Sequence, residues 1–334
     1  MTLRATRARR TGSIRTRDTD GYAPFARIRW GLCCQFLDAP IKFRTATHRY
    51  VSGLPRRESR AYLRDIVRWN AAALLQAVEH CHALGIGAFR MNSQILPLAT
   101  HPVSGYRLSD LDRGGVAGDL FLTAGARARE LDIRLSFHPD QFVVLNSIRD
   151  DVVTASLLEL EYQASVAELV GADVIVLHGG GAAGGREQAL TRLAHAVDRL
   201  SPAARSRLAL ENDDRQFTPA SLLPVCRSLG IPLVYDVHHH RCLPDELSVA
   251  EATDLMVASW GPREPYAHIS SPREGWDARD RRPHADFLEQ GDLPEEWSTL
   301  RMTVDVEAKE KDRAIVQLMR SLASGSKPKA ERSS

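Results

Sequence analysis

Between residues 27 and 323 the chain alternates eight short runs of β-forming apolar residues with seven longer segments of helical period. The strand candidates are 28–33, 86–90, 133–138, 174–178, 207–211, 232–236, 266–269 and 301–306. Helical spacing marks 59–83, where Leu63, Ile66, Val67, Leu74, Leu75 and Val78 share a face. It recurs over 117–131, 152–170, 187–200, 219–229, 248–259 and 309–323. An irregular stretch, 35–57, separates the first strand from its helix, and a broken Pro- and Arg-rich loop separates the last two strands. Gly85 and Gly171 stop two helices, and Pro219 opens a third at a position where its missing N–H costs nothing. Strands alternating with helices pair in parallel, because each helix carries the chain back to begin the next strand in the same direction. Eight such units over about 300 residues predict a single closed (β/α)8 barrel of the α/β class, a TIM barrel. An open doubly wound sheet shares the alternation, but no Gly-x-Gly-x-x-Gly follows the first strand, so its dinucleotide-binding form has no support.

With 43% hydrophobic residues, the 334-residue chain can fill such a core as one domain. Lys+Arg (44) and Asp+Glu (42) nearly cancel to a net +2, so bulk charge does not demand nucleic acid. The five cysteines, Cys33, Cys34, Cys81, Cys226 and Cys242, show no Cys-x-x-Cys spacing. They read as reduced thiols in a cytoplasmic protein rather than a disulfide scaffold or a thiolate zinc site. No apolar run is long enough for a membrane span, and no hydrophobic stretch follows Arg9-Arg10 to support export. No obligate protein partner is evident. Residues 1–26 read as a disordered basic tail, 27–323 as the barrel, and 324–334 as a second solvated tail. The GGGAAGG run at 179–185 lacks the Lys-Ser/Thr pair of a nucleotide loop and reads as a flexible loop near a substrate backbone.

In such a barrel the C-terminal ends of all strands open on one face, where active sites lie. Strand two leads to His101, strand three ends in His138, strand four in His178 and strand five in Glu211. Strand six ends in Asp236 with His239 three residues on; strand seven holds His268, with His284 in its loop; strand eight ends at Asp305 and Glu307. Any one of these histidines alone is more simply an ordinary core or polar residue, and the triplet 238–240 alone is as readily a polar turn. Nitrogen and oxygen donors on six consecutive strand ends point instead to divalent metal, with Mn²⁺, Zn²⁺ or Fe²⁺ suited to a set without thiolates. The donors outnumber the needs of one ion, so two or three ions per chain are expected, with Glu211 shared. Such a centre serves phosphodiester hydrolysis, or the isomerisation or epimerisation of a sugar by a metal-assisted proton or hydride shift. A metal-binding barrel without activity is the third reading.

The blocks that carry these residues resemble the UV-damage endonuclease family. They are RLSFHPDQFVVLNS (134–147), LHGGG (177–181), LENDD (210–214), YDVHHH (235–240), AHIS (267–270) and VEAKEK (306–311), with NSQILPLATHP (92–102) similar to that family's second-strand segment. They run in collinear order over residues 28–322. The resemblance implies a barrel related to endonuclease IV, a trinuclear site usually holding manganese, and incision of DNA immediately 5′ of UV photoproducts, sometimes of other helix-distorting lesions. It implies that His138, His178 and Glu211 hold one ion, Glu211, Asp236, His268 and Glu307 a second, and His239 with His284 a third. His101 is implied beside the scissile phosphate and, with Glu211 and Lys309, makes up the candidate catalytic set. Gln141 and Phe142 match the pair that probes the lesion. The implied partner is damaged double-stranded DNA; a sugar isomerase and an apurinic-site endonuclease are the alternatives.

An aromatic wedge has a physical rationale of its own. It can fill the gap left in a base stack, which is worth about 1–3 kcal/mol per base, and damaged pairs cost less to flip because they are already partly unstacked. The residues alone also allow Phe142 as a core aromatic and Gln141 as a surface polar group. Arg44, Arg49, Arg90, Arg107, Arg273 and Lys309 flank the rim as candidate phosphate contacts, and RDRR (279–282) is the densest basic patch of the barrel segment. Arg90, Arg273 and Tyr266 join Gln141 and Phe142 as the candidate DNA contacts. Three positions depart from the family pattern: Leu32 stands for a tyrosine, Phe36 for an asparagine, and Tyr266 for a lysine two residues before the seventh-strand histidine. The metal set is intact, so these departures bear on which lesion is recognised.

Overall fold

Each strand candidate forms, each pairs in parallel with its neighbour in sequence, and β8 returns to β1 to close the barrel. In this computed structural model, which describes residues 23–324, the strands are β1 (Ile28–Cys33), β2 (Ala88–Met91), β3 (Arg134–Phe137), β4 (Val174–His178), β5 (Leu208–Glu211), β6 (Leu233–Asp236), β7 (Tyr266–Ile269) and β8 (Met302–Val306). The outer helices are α1 (Arg56–Leu84), α2 (Val116–Glu130), α3 (Asp150–Val170), α4 (Arg186–Val197), α5 (Pro219–Leu229), α6 (Val249–Trp260) and α7 (Lys311–Ser324). The β7–β8 connection carries no long helix; two 3₁₀ turns, Gln290–Asp292 and Glu295–Thr299, cover the barrel there, with Trp297 fully buried and donating to Thr253 Oγ1 at 3.0 Å.

Sequence chemistry accounts for these ends. Gly85 takes φ 74° after α1, where a side chain would be strained. Ser248 and Glu251 form a reciprocal capping box at the start of α6. Strands β5 to β8 are buried along their whole length, so they read as continuous apolar runs rather than alternating ones.

Inside the barrel a polar layer lies below the mouth. Ser136 Oγ and Tyr266 Oη are 2.9 Å apart, and Tyr266 donates to Asp305 Oδ1 at 3.0 Å. Gly31 faces this layer because a Cβ there would overlap the Asp305 carboxylate. At the opposite end Arg134 joins β3 to Asp173, Glu264 and Thr303.

Short helices not expected from the sequence form at His48–Ser52, Leu108–Leu111, Pro202–Arg207 and Val237–Cys242. Most of the two expected tails, 1–22 and 325–334, lies outside the described residues. Of the first tail, residues 24–26 lie in a turn tied down by the Phe25 N–H donating to Ser298 O at 2.8 Å. The 179–185 loop is not loose: the Asn146 amide donates to Gly179 O (2.7 Å) and Gly181 O (2.8 Å) and accepts from Gly181 N–H (3.0 Å).

Candidate metal centre

Glu211 ends β5 fully buried, and four imidazoles surround its two oxygens. His138 Nε2 donates to Oε2 at 2.8 Å and His268 Nδ1 to Oε1 at 2.9 Å. His239 Nδ1 lies 3.5 Å from Oε1 and His178 Nδ1 3.8 Å from Oε2. These rings come from the ends of β3, β7, β6 and β4, so barrel closure alone brings them together.

Asp236 explains the histidine triplet. Its Oδ1 accepts from the His239 N–H at 2.8 Å, which caps the helix Val237–Cys242. Successive helical residues turn by about 100°, so the three rings point three ways. His238 packs against Trp276 and His284. His240 is held between Tyr235 Oη (2.7 Å) and Asp245 Oδ1 (3.0 Å). Only His239 faces Glu211. Asn212, which the sequence reading passed over although it follows Glu211 directly, sets this geometry. Its amide donates to Asp236 O at 2.8 Å, its Oδ1 accepts from Asp236 N–H at 3.0 Å, and its carbonyl accepts from His239 Nδ1 at 2.9 Å.

Charge balances within the cluster. Burial pushes the Glu211 carboxyl up, but the fields of His178, His268 and His138 outweigh it and hold the group well below the usual carboxylate range. Burial disfavours the charged forms of His239 and His268 as well. Asp236 and Glu211 nevertheless raise the first to about 9, and Glu211 and Glu307 raise the second to about 9. Burial lowers His178. Imidazole protons thus answer the carboxylates, a task a cation takes over when the ligands release them.

The residues fit divalent metal. His138, His178 and Glu211 form one group of donor atoms within 4.8 Å of one another, and Glu211, Asp236 and His239 form a second. His178 Nδ1 and Asp236 Oδ2 are buried without a hydrogen-bond partner, lone pairs that an ion would satisfy. His138 Nδ1 lies 3.1 Å from the Pro139 carbonyl, which holds the ring so that Nε2, the atom on Glu211, is the one left for a cation once it gives up its proton; His239 Nδ1 lies 2.9 Å from the Asn212 carbonyl and 3.5 Å from both Glu211 Oε1 and Asp236 Oδ2. His239 groups with Glu211 and Asp236, and its ring centre also stands 6.4 Å from that of His284. His284 Nδ1 lies 3.6 Å from Glu307 Oε2 at the edge of the cluster, and His268 Nδ1 lies 3.7 Å from Glu307 Oε1.

A cleft of about 630 Å³ opens beside these groups, lined by Cys34, Arg90, His138, Gln141, Phe142 and Glu307 among others. Phe142 is 77% exposed, so it is no core residue, and Gln141 beside it is also exposed. Arg90 is committed internally, donating to Glu307 Oε1 at 2.6 Å with Asp305 Oδ2 3.8 Å away. Arg273 is exposed on the β7–β8 connection, and Lys309 is exposed just past β8. His101 stacks on His48 at 4.2 Å and accepts at Nδ1 from the N–H groups of Val103 and Ser104, both 3.1 Å; it makes no hydrogen bond to the cluster. Tyr266 is corrected: it is fully buried under the metal centre and has no surface to offer DNA.

The model of the family described as UV-endonuclease UvdE matches residues 28–331. The chain belongs to the UV-endonuclease family. A UV DNA damage endonuclease of Deinococcus radiodurans is 34% identical over 303 residues, 86% of this chain and 93% of that protein. The crystal structure of SacUVDE superposes with a TM-score of 0.77 at 25% identity, covering 90% of this chain and all of that one. Endonuclease IV from Thermus thermophilus shares the fold, with a TM-score of 0.57 at 15% identity over 89% of this chain and all of that one. For a UV-endonuclease, the three departing positions all lie inside. Leu32 and Phe36 are buried, Phe36 stacking on Phe89 at 5.6 Å, and Tyr266 puts a hydroxyl against Asp305.

Proposed function

We propose that this UV-endonuclease is a metal-dependent DNA repair enzyme of the cytoplasm that incises the backbone 5′ of UV photoproducts and of related helix-distorting lesions. The observation that carries the reading is one buried carboxylate, Glu211, common to two donor groups, with an exposed Gln-Phe pair on the loop that leaves His138. His138, His178, Glu211, Asp236 and His239 would hold two divalent ions, with His268, His284 and Glu307 completing the set for a third; manganese suits these donors. Bound ions would supply Lewis acidity and an activated water at neutral pH. Glu211 fixes the spacing of the two groups, and Asn212 orients His239.

His101 accepts two backbone N–H groups at Nδ1, which leaves its proton on Nε2. Burial and the neighbouring His48 lower its pKa, so the ring is a neutral donor toward a phosphate oxygen. Lys309 and Arg273, both exposed, add charge for the backbone. Phe142 fills the gap left by displaced bases while Gln141 meets their former partners.

The test is a plasmid nicking assay with manganese, paired with elemental analysis. UV-irradiated plasmid should be nicked and untreated plasmid stay closed. Protein of confirmed metal content that nicks neither UV-treated nor abasic plasmid would sink the reading, and turnover of a ketose or aldose in its place would move the chain to the sugar-isomerase class.

A further inference from the structure

A row of arginines runs along the first half of α1, outside the metal centre. Arg56, Arg60, Arg64 and Arg68 recur every four residues and, with Arg113 across from them, line a groove of about 480 Å³. At 1.5 Å rise per residue they step by about 6 Å and span about 18 Å. Like charges at this spacing repel along a helix. Six arginines elsewhere, Arg29, Arg90, Arg127, Arg134, Arg205 and Arg313, each have a carboxylate oxygen within 2.9 Å.

The groove is different. Arg68 alone is closely paired, with Asp112 at 2.5 Å. Arg64 has the exposed Asp65 at 4.0 Å, and its Nε is buried with no hydrogen-bond partner. Arg60 donates to the Asp110 carbonyl at 2.6 Å, which cancels no charge. Arg56 has no ion pair among the described residues. Five arginines line the groove against two aspartates, Asp110 and Asp112, so its lining is net basic and suited to an anion from outside the chain.

Its position says which anion. Helix α1 follows β1, so it starts on the face where the metal centre opens, and the opposite wall of the groove, residues 110–114, follows β2 on the same side. A row about 18 Å long, stepped near the spacing of successive phosphates on a strand, exceeds what a single phosphate or nucleotide needs. We infer that the groove binds the phosphates of the DNA strand flanking the incision site, an inference that rests on the endonuclease reading above.

The test is the double variant Arg60→Gln/Arg64→Gln, compared with the intact protein by fluorescence anisotropy on long and short labelled duplexes, with and without a photoproduct, over a salt series. Each phosphate contact contributes about 0.9 to the slope of log K against log salt, so the slope should shrink by about 2 on long duplexes. It should do so equally for damaged and undamaged DNA, and not at all on duplexes that reach only the cleft. Melting temperature should not fall, because repelling charges have been removed, and Arg60→Lys/Arg64→Lys should keep most of the slope. An unchanged slope, in a protein that otherwise binds and incises damaged DNA, overturns this inference alone. Intact protein that neither binds nor incises damaged DNA overturns the endonuclease reading and the groove with it. Loss of inorganic tripolyphosphate binding in the variant, with the DNA slope intact, makes the groove a small-anion site and overturns the inference.

Discussion

Glu211→Gln separates fold from chemistry at one atom. The carboxylate accepts two charge-assisted hydrogen bonds, at 2.8 Å from His138 and 2.9 Å from His268. Glutamine keeps the shape and one acceptor, but turns an amide N–H₂ toward an imidazole proton. Losing one such bond costs about 1.5–3 kcal/mol. Unfolding entropy of about 2.1 cal/mol/K per residue amounts to about 0.6 kcal/mol/K for a barrel of this length, so the metal-free melting temperature should drop by about 2–5 °C.

Linkage sets the pH window of that gap. Glu211 is held below 4.5, so its contribution is complete above that pH and fades as the pH falls beneath it. His268 is held up at about 9, so its contribution is complete below 6.5 and fades as the pH rises through about 9. The gap should be widest between those limits. Both donor groups lose their common ligand, so bound metal should fall by at least one ion per chain. Incision should fall by more than the 10–100-fold typical of outer-shell changes. Calorimetry, elemental analysis and plasmid nicking read these three quantities. A variant that keeps full metal and full incision refutes the assignment of Glu211.

Phe142→Ala removes a side chain that is 77% exposed, so stability should change by less than about 0.5 kcal/mol. The lost stacking of about 1–3 kcal/mol should lower the damaged-to-undamaged ratio of kcat/KM about 5- to 150-fold, and an unchanged ratio would dispose of the wedge. Tyr266→Phe strips the hydroxyl between Ser136 and Asp305 and leaves a buried carboxylate oxygen short of a donor. It should cost about 1–3 kcal/mol in thermal unfolding, and an unaltered melting temperature would show that the hydroxyl supports nothing.

Much of the site was legible because strand ends are legible. Apolar runs bounded by Gly and Pro located the ends of β4, β5, β6 and β7 to the residue, and His178, Glu211 and Asp236 close three of those runs. What escaped depends on rotation and on distant partners. Which of His238, His239 and His240 turns to Glu211 follows from the short helix that Asp236 caps. The FVVL run suggested a core place for Phe142, yet the loop leaves it exposed. Arg90 looked available to a phosphate because Glu307, its partner, lies 217 positions away. The arginine row was visible as sequence, but that only Arg68 of the four has a close carboxylate was not.

By itself, the order of residues determined that these donors would share one mouth, since parallel strands joined by helices all finish on the same side. Tertiary structure alone decided which atoms meet. His138 and His268 stand 73 and 57 positions from Glu211, and their approach to within 3 Å depends on barrel closure, strand register and rotamer, none of which local sequence encodes.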